Sequence, residues 1–240
     1  MKIVIVRHAS PDYENNTLTS EGFKEIEALG KHYNASMFDD IYASPLTRAK
    51  LTAEAVVKGE KEIKYKDWLI EFVHRITTPE GEKGHLNWDF LPENIKTHPE
   101  ALYNPNYLES YQPFKEINLK EDYEIVVSEF DKVLEKHGYK RNGLFYDVTK
   151  NNGDAIVFFC HLGIMCVLLS HILNIPYTIL TQFTCCPPTG VTTLVSEERV
   201  KGIAQFRMTG FGDVSHLLKE GMEPAFHGRF CERFEDDTRH

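Results

Sequence analysis

Two histidines stand at the ends of apolar runs. Arg7 and His8 follow directly on Ile3-Val4-Ile5-Val6, and His161 follows Ala155-Ile156-Val157-Phe158-Phe159-Cys160 just before Gly163 and a helical pattern. Short, continuous apolar runs of this kind read as buried strands. In open α/β sheets, catalytic groups gather at the carboxyl ends of strands, where a rigid element stops and a loop can face a ligand. Two strand-end histidines in one chain therefore mark a candidate site. Arg48 is the next residue of interest. Ser44-Pro45 reads as an N-cap followed by proline at the first helical position, which puts Arg48 in the first helical turn. The helix dipole disfavours a cation there, yet the free backbone N–H groups of a first turn bind anions. Arg7 and Arg48, with the two histidines, could provide a local cationic pocket for a small anionic ligand.

The formal net charge of −9 makes such a pocket necessary, because the field of the whole molecule repels anions. It also argues against nucleic acid as a partner. With 240 residues, 42% hydrophobic and 26% charged, the composition is that of an ordinary globular protein, and the length suits one α/β domain, residues 1–240, carrying an insertion. No apolar stretch approaches the roughly 20 residues that cross a bilayer. The chain enters its first strand with no secretory-type segment, so a cytoplasmic location is expected. Five cysteines, with Cys185 and Cys186 adjacent, form neither a disulfide framework nor a paired CxxC zinc pattern, and read as reduced thiols.

The elements that must position these residues alternate between strand and helix. Residues 2–6 form a strand, and a helix capped by Thr19 carries Phe23, Ile26, Leu29 and Tyr33 at helical spacing. A strand over 41–43, a helix over 45–57 and a strand over 62–66 follow. An amphipathic helix is expected over 122–137, with Ile125, Val126, Phe130, Val133 and Leu134 on one face. A mostly buried helix is expected over 161–173, stopped by Asn174 and Pro176. Residues 190–195 and 200–207 read as an antiparallel hairpin turning at Ser196-Glu197-Glu198. Beyond Thr209 the pattern fades, and Glu232, Glu235, Asp236 and Asp237 read as a solvated acidic tail. Between about 72 and 120 the regular pattern breaks; a stretch this long is a lid or binding segment rather than a connection.

Taken together, the motifs resemble a known family. Val6-Arg7-His8, Leu18-Thr19-x-x-Gly22, Ser44-Pro45-Leu46-x-Arg48-Ala49-x-x-Thr52-Ala53, Glu71 after a following strand, and Cys160-His161-x-Gly163 resemble the histidine phosphatase superfamily, the phosphoglycerate-mutase-like group, over residues 1–71 and 155–207. The resemblance implies a three-layer α/β/α sandwich with a mostly parallel central sheet and the irregular insertion over the active site. It also implies a metal-independent, histidine acid phosphatase-like phosphomonoesterase of the phosphatase branch, with no cofactor and a small phosphorylated metabolite as its partner. In that scheme His8 attacks phosphorus and holds the phosphoryl group. Arg7, Arg48 and His161 grip its oxygens, and Glu71, with Asp67 as a rival, protonates the departing alkoxide.

Four departures from the family pattern stand beside the resemblance. Ala9 and Leu162 replace glycines, and Leu162 reshapes the backbone approach to phosphate that glycine permits. Glu14 stands where many members have asparagine, with Asn15 adjacent. Phe72-Val73-His74-Arg75 differs from the Glu-Arg-His-Tyr run of the mutases, which favours a hydrolase. The insertion, with Arg75, Lys83, His85, Trp88 and Asp89, is expected to cover the pocket, and Arg75, His85 and Leu162 are candidate substrate contacts. Two alternatives stand beside the hydrolase: a phosphoglycerate-type mutase, and a catalytically weak phospho-ligand-binding regulator, motivated by Leu162 and Glu14.

Overall fold

The computed structural model describes residues 1–150 and 152–225; the acidic tail lies outside the described residues. Its main sheet has eight strands, numbered here in chain order: β1 (Lys2–Arg7), β2 (Asp40–Ala43), β3 (Lys64–Tyr65), β4 (Tyr139–Asn142), β5 (Phe145–Val148), β6 (Ala155–Cys160), β7 (Val191–Val200) and β8 (Ile203–Asp213). Their spatial order is β3-β2-β6-β1-β7-β8-β5-β4.

The α/β class stands, but the sheet is mixed rather than mostly parallel. The pairs β3·β2, β2·β6 and β6·β1 are parallel, whereas every pairing from β1·β7 outward is antiparallel. The antiparallel half arises because β4·β5 and β7·β8 are hairpins closed by left-handed glycines, Gly143 at φ 59° and Gly202 at φ 84°, and need no crossover helix.

The two faces of the sheet follow from strand alternation. Val4, Val6, Ile41, Ala43, Val157 and Phe159 pack on one face against Leu29 of α1 (Ser20–His32) and Ala53, Val56 and Val57 of α2 (Thr47–Val57). Ile3, Ile5, Tyr42, Ile156 and Phe158 belong to the opposite core, with Phe130 of α3 (Leu119–Lys136) and the almost entirely buried α4 (Leu162–Leu173). This produces the three layers. Two shorter helices complete the labelled set: α5 (Tyr177–Phe183) and α6 (Ser215–Lys219). Among the described residues, no helix is long and apolar enough to cross a membrane.

Three local expectations change. α2 begins at Thr47 instead of Pro45, because the Ser44 hydroxyl accepts from Leu46 N at 3.3 Å and also faces His161, so an additional turn precedes the helix. The hairpin turn lies at Lys201-Gly202 rather than Ser196–Glu198. Cross-strand bonds from Gln205 and Arg207 to Glu197, both 2.7 Å, keep that polar stretch extended. Beyond Thr209 the chain is regular after all, continuing as β8 and then α6.

The insertion contains a hairpin (Arg75–Thr77 with Lys83–Leu86) and four short helices: Pro92–Thr97, Glu100–Tyr103, Tyr107–Ser110 and Gln112–Lys115. Helices of four to six residues are too short to display a 3.6-residue period. Phe90, Tyr107, Tyr111 and Phe114 stack edge to face inside the segment, with Tyr111 and Phe114 centroids 5.0 Å apart, and join the main core. Phe90 is thus core, and Trp88 packs against it.

Candidate active site

Register places the two histidines side by side. β1 and β6 pair from Lys2 opposite Ala155 to Arg7 opposite Cys160, so the next residue on each strand is a histidine, and their ring centroids lie 5.0 Å apart. β2 is the third strand end in the row. Phe159 lies opposite Ala43, and Ser44 N donates to Phe159 O at 2.9 Å, which brings the Ser44 hydroxyl within 2.8 Å of His161 Nε2.

The tautomer of His8 is fixed by its neighbour. Its Nδ1 lies 2.7 Å from Ala9 O, and a carbonyl only accepts, so Nδ1 carries the proton and Nε2 keeps its lone pair. Arg48 Nε donates to that Nε2 at 3.3 Å. The loop bearing this geometry is tied down on both sides. Ala9 N donates to Thr52 Oγ1 at 3.0 Å, and Thr52 Oγ1 donates to Arg48 O at 2.7 Å, which links the loop after β1 to α2. Ser10 gives its N–H and its hydroxyl to the buried Glu25 of α1, at 2.7 and 2.8 Å. Gly22 is required beneath this loop, because a Cβ there would come within 2.3 Å of Ser10 O.

Arg7 is buried, and its guanidinium donates to Cys186 O at 2.5 Å. Arg48 is half-buried, with its guanidinium 5.4 Å from the centroid of the exposed Tyr13 ring. His161 is fully buried, and its Nδ1 has no hydrogen-bond partner among the described residues. Burial pushes both histidines well below the ordinary imidazole range. For His8 the neighbouring His161 and Arg7 add to this, and for His161 Arg48 and Arg7 do so. Both rings are therefore neutral near pH 7.

Glu71 is placed by the start of α4. Its Oε1 accepts from Gly163 N at 2.9 Å, Ile164 N at 3.3 Å and Phe72 N at 3.0 Å, so it acts as the missing side-chain cap of that helix. The N–H groups of Gly163 and Ile164 thus serve Glu71. Burial raises its carboxyl above the usual range, while Arg7, Arg48 and the N–H groups of Ile164 and Phe72 pull it back. Asp67, the rival carboxylate, is exposed in a short 3₁₀ turn. The close approach depends on Gly163, where a Cβ would meet Glu71 Oε1 at 2.7 Å and Phe72 O at 2.9 Å. Alanine is better than glycine in a helix by about 1 kcal/mol, but crowding against backbone costs about 1–3 kcal/mol. Gly163→Ala is therefore expected to lose about 1 kcal/mol of stability in urea unfolding; a stabilised variant would contradict the packing argument.

The remaining candidates have partners of their own. Arg75 donates to Gly84 O at 2.7 Å, and His85 pairs with Glu82 at 2.8 Å, both within the insertion hairpin; neither contact reaches the histidine pair. Leu162 packs partly against the main core. Glu14 is exposed, and Asn15 turns to Asp12, whose carboxylate accepts from its backbone N–H at 3.0 Å and its side-chain amide at 2.8 Å. Among the described residues, no group of three or more His, Cys, Asp or Glu side chains could hold a metal ion. Sequence reasoning missed the Thr52, Glu25 and Ser44 contacts. Ser44 and Thr52 lay inside a recognised motif, but only as a cap and a spacer; Glu25, an acidic residue on a helix, carried no signal.

The neutral buried imidazoles have a consequence for acid stability. His8, His161 and His216 of α6, the last pushed down to about 4 by burial, all have folded pKa values below the ordinary 6.5. Below pH 6.5 the unfolded chain binds protons that the folded chain refuses, so stability present above that pH is lost as pH falls. Each histidine contributes a slope on the order of 1.4 kcal/mol per pH unit in that window. Glu71, raised when folded, works in the opposite direction and offsets part of it. Urea unfolding between pH 7 and 5 should show the loss; a flat profile would contradict buried neutral rings.

The family description "Histidine phosphatase superfamily (branch 1)" matches residues 3–209. Among curated proteins none matches the chain. Among solved structures, the phosphoserine phosphatase H9A mutant of Entamoeba histolytica, in complex with phosphoserine, superposes with a TM-score of 0.58 at 19% identity, covering 90% of this chain and 98% of that one. Mycobacterial glucosyl-3-phosphoglycerate phosphatase in complex with VO3 gives 0.53 at 16% identity, covering 87% and 97%. A putative α-ribazole-5′-P phosphatase of Escherichia coli gives 0.52 at 13%, covering 87% and 95%. At these identities the superpositions speak for a shared fold, while the family match spans most of the sequence: the chain belongs to the histidine phosphatase superfamily, branch 1.

Proposed function

We propose that this chain hydrolyses small phosphomonoesters through a phosphohistidine on His8. The observation that carries the reading is the His8 ring, with its Nδ1 proton committed to Ala9 O and its Nε2 lone pair facing Arg48. Attack of Nε2 on phosphorus forms the P–N bond. The P–O bond to the alcohol breaks, and its electron pair goes to the leaving oxygen, which takes a proton from Glu71. Water then attacks phosphorus, Glu71 recovers a proton from it, and the P–N electrons return to Nε2. Arg7 and Arg48 offer fixed, permanently charged donors to the phosphoryl oxygens. If Ser44 gives its hydroxyl proton to His161 Nε2, the unpartnered Nδ1 carries a proton for the same oxygens. No step calls for a metal.

The raised carboxyl of Glu71 and the depressed imidazole of His8 support a reading in which the acid is protonated while the nucleophile is neutral, at pH values between the depressed pKa of His8 and the raised pKa of Glu71. Discrimination among leaving groups falls to the insertion. Its hairpin is rooted next to Glu71, because Asn87 bonds both backbone groups of His74, at 2.9 and 3.0 Å, and reaches Tyr177 OH at 3.1 Å. The similar structures named above carry names of small phosphate-ester hydrolases, which supports the same substrate class. The test is to incubate the protein with an aryl phosphate and a chelator. Turnover together with an acid-labile, base-stable phosphoryl label is expected. Transfer between phosphoglycerates would point to a mutase, and absence of both turnover and label would leave a phospho-ligand binder.

A further inference from the structure

The Arg7-His8 dipeptide is cradled by a turn at residues 186–190 that the reaction scheme does not use. Arg7 N donates to Gly190 O at 3.1 Å, Arg7 Nη1 donates to Cys186 O at 2.5 Å, and Thr189 N donates to both Arg7 O at 3.1 Å and His8 O at 3.3 Å. Thr189 achieves this with φ at +57°, a left-handed conformation that is costly for a β-branched residue, and it is completely buried. Strain of that kind persists only where the surroundings enforce it.

The enforcing group is on α6. The Thr189 hydroxyl lies 2.7 Å from Pro188 O, which only accepts, so its single proton goes there. His216 Nε2, 2.9 Å from Thr189 Oγ1, must then be the donor to that hydroxyl oxygen. His216 is 1% exposed and its Nδ1 has no hydrogen-bond partner among the described residues, so the ring is held as a neutral Nε2–H tautomer. α6 is itself fixed to α1. Glu220 pairs with Lys31 at 2.8 Å and His32 at 3.1 Å, and the Tyr33 ring meets His216 edge-on at 6.2 Å.

We infer that His216 is a positioning residue: by locking Thr189 in its left-handed conformation, it fixes the backbone carbonyls of Arg7 and His8 and so aims the His8 ring at the phosphoryl group. The inference rests on the proposed role of His8. Burial keeps His216 neutral at working pH, as the donor geometry requires. Thr189 and His216 are 27 residues apart and neither follows a strand-end pattern, so sequence reading does not single them out.

The test compares His216→Phe, which removes the donor, with His216→Gln, which keeps an N–H at similar reach without a titrating ring. In single-turnover reactions with an aryl phosphate, H216F should transfer phosphoryl to His8 about 10–100-fold more slowly, with KM and burst amplitude near parental and vanadate inhibition weakened by a similar factor. H216Q should recover most of the loss. Thr189→Ala should reproduce the H216F defect, and the double variant should add little to it. A merely structural role would lower burst amplitude and leave the vanadate constant per active site unchanged, and that outcome overturns the inference, as does equal damage in H216F and H216Q. Nitrogen NMR shifts of the His8 ring provide an arm independent of turnover: unchanged His8 shifts in H216F overturn the inference. Absence of phosphohistidine in the parent protein would sink only the reading on which it rests.

Discussion

His8→Ala is expected to abolish the phosphoryl label and to lower turnover of any phosphomonoester by roughly 10⁴-fold or more, the scale seen when a covalent nucleophile is removed from a unit that acts together. The size of the effect follows from the geometry. Arg7, Arg48 and His161 lie around a single ring whose free nitrogen is already unprotonated, and among the described residues no other imidazole presents a lone pair to Arg48. Alanine leaves the proposed phosphate grip of Arg7, Arg48 and His161 in place, so the variant should still bind phosphate or vanadate within about tenfold of the parent, because uniform binding survives loss of the nucleophile. Retention of label or of more than a few per cent of turnover would exclude His8 as the phosphoryl carrier. A parallel loss of phosphate binding would show that the substitution had disturbed the cradle as well.

Glu71→Gln should produce a loss that depends on the leaving group. General acid catalysis is worth typically 10²–10⁴-fold when the departing oxygen needs a proton, and far less when it leaves as a stable anion. Alkyl phosphates should therefore suffer on the order of 10²–10⁴-fold, and nitrophenyl phosphates much less. The amide can keep the helix-capping contact, because its oxygen can accept from the Gly163 and Ile164 N–H groups as Oε1 does. That separates chemistry from folding. In the parent, the rate of alkyl phosphate cleavage should fall as pH rises through the raised pKa of Glu71, and in Glu71→Gln this limb should vanish. A uniform loss across leaving groups would assign Glu71 to positioning alone.

The two departures that motivated a non-catalytic reading have local explanations. Glu14 points into solvent from a turn organised by Asp12 and Asn15, so its carboxylate need not confront a bound phosphate. Leu162 is the first residue of α4, whereas the close backbone approach in this motif occurs one residue later, at Gly163, and it serves Glu71. Neither residue removes a group that the proposed chemistry uses.

Much of this protein is legible in its residues, because buried strands and helix caps are local events. The apolar runs mark β1 and β6 and place Arg7, His8 and His161 at their carboxyl ends, and Thr19 caps α1 through Gly22 N as its type and position predict. What local periodicity cannot report is which strands become neighbours, since pairing and register emerge when all elements bury their apolar faces together. Tertiary structure alone decided that β1 and β6 lie side by side in parallel, so that residues 153 positions apart meet at a ring distance of 5.0 Å. It also decided that half the sheet is antiparallel, that Glu71 rather than Asp67 caps α4, and that His216 reaches Thr189. Each of these depends on a contact distant in sequence, made where packed layers bring unrelated segments within hydrogen-bond range.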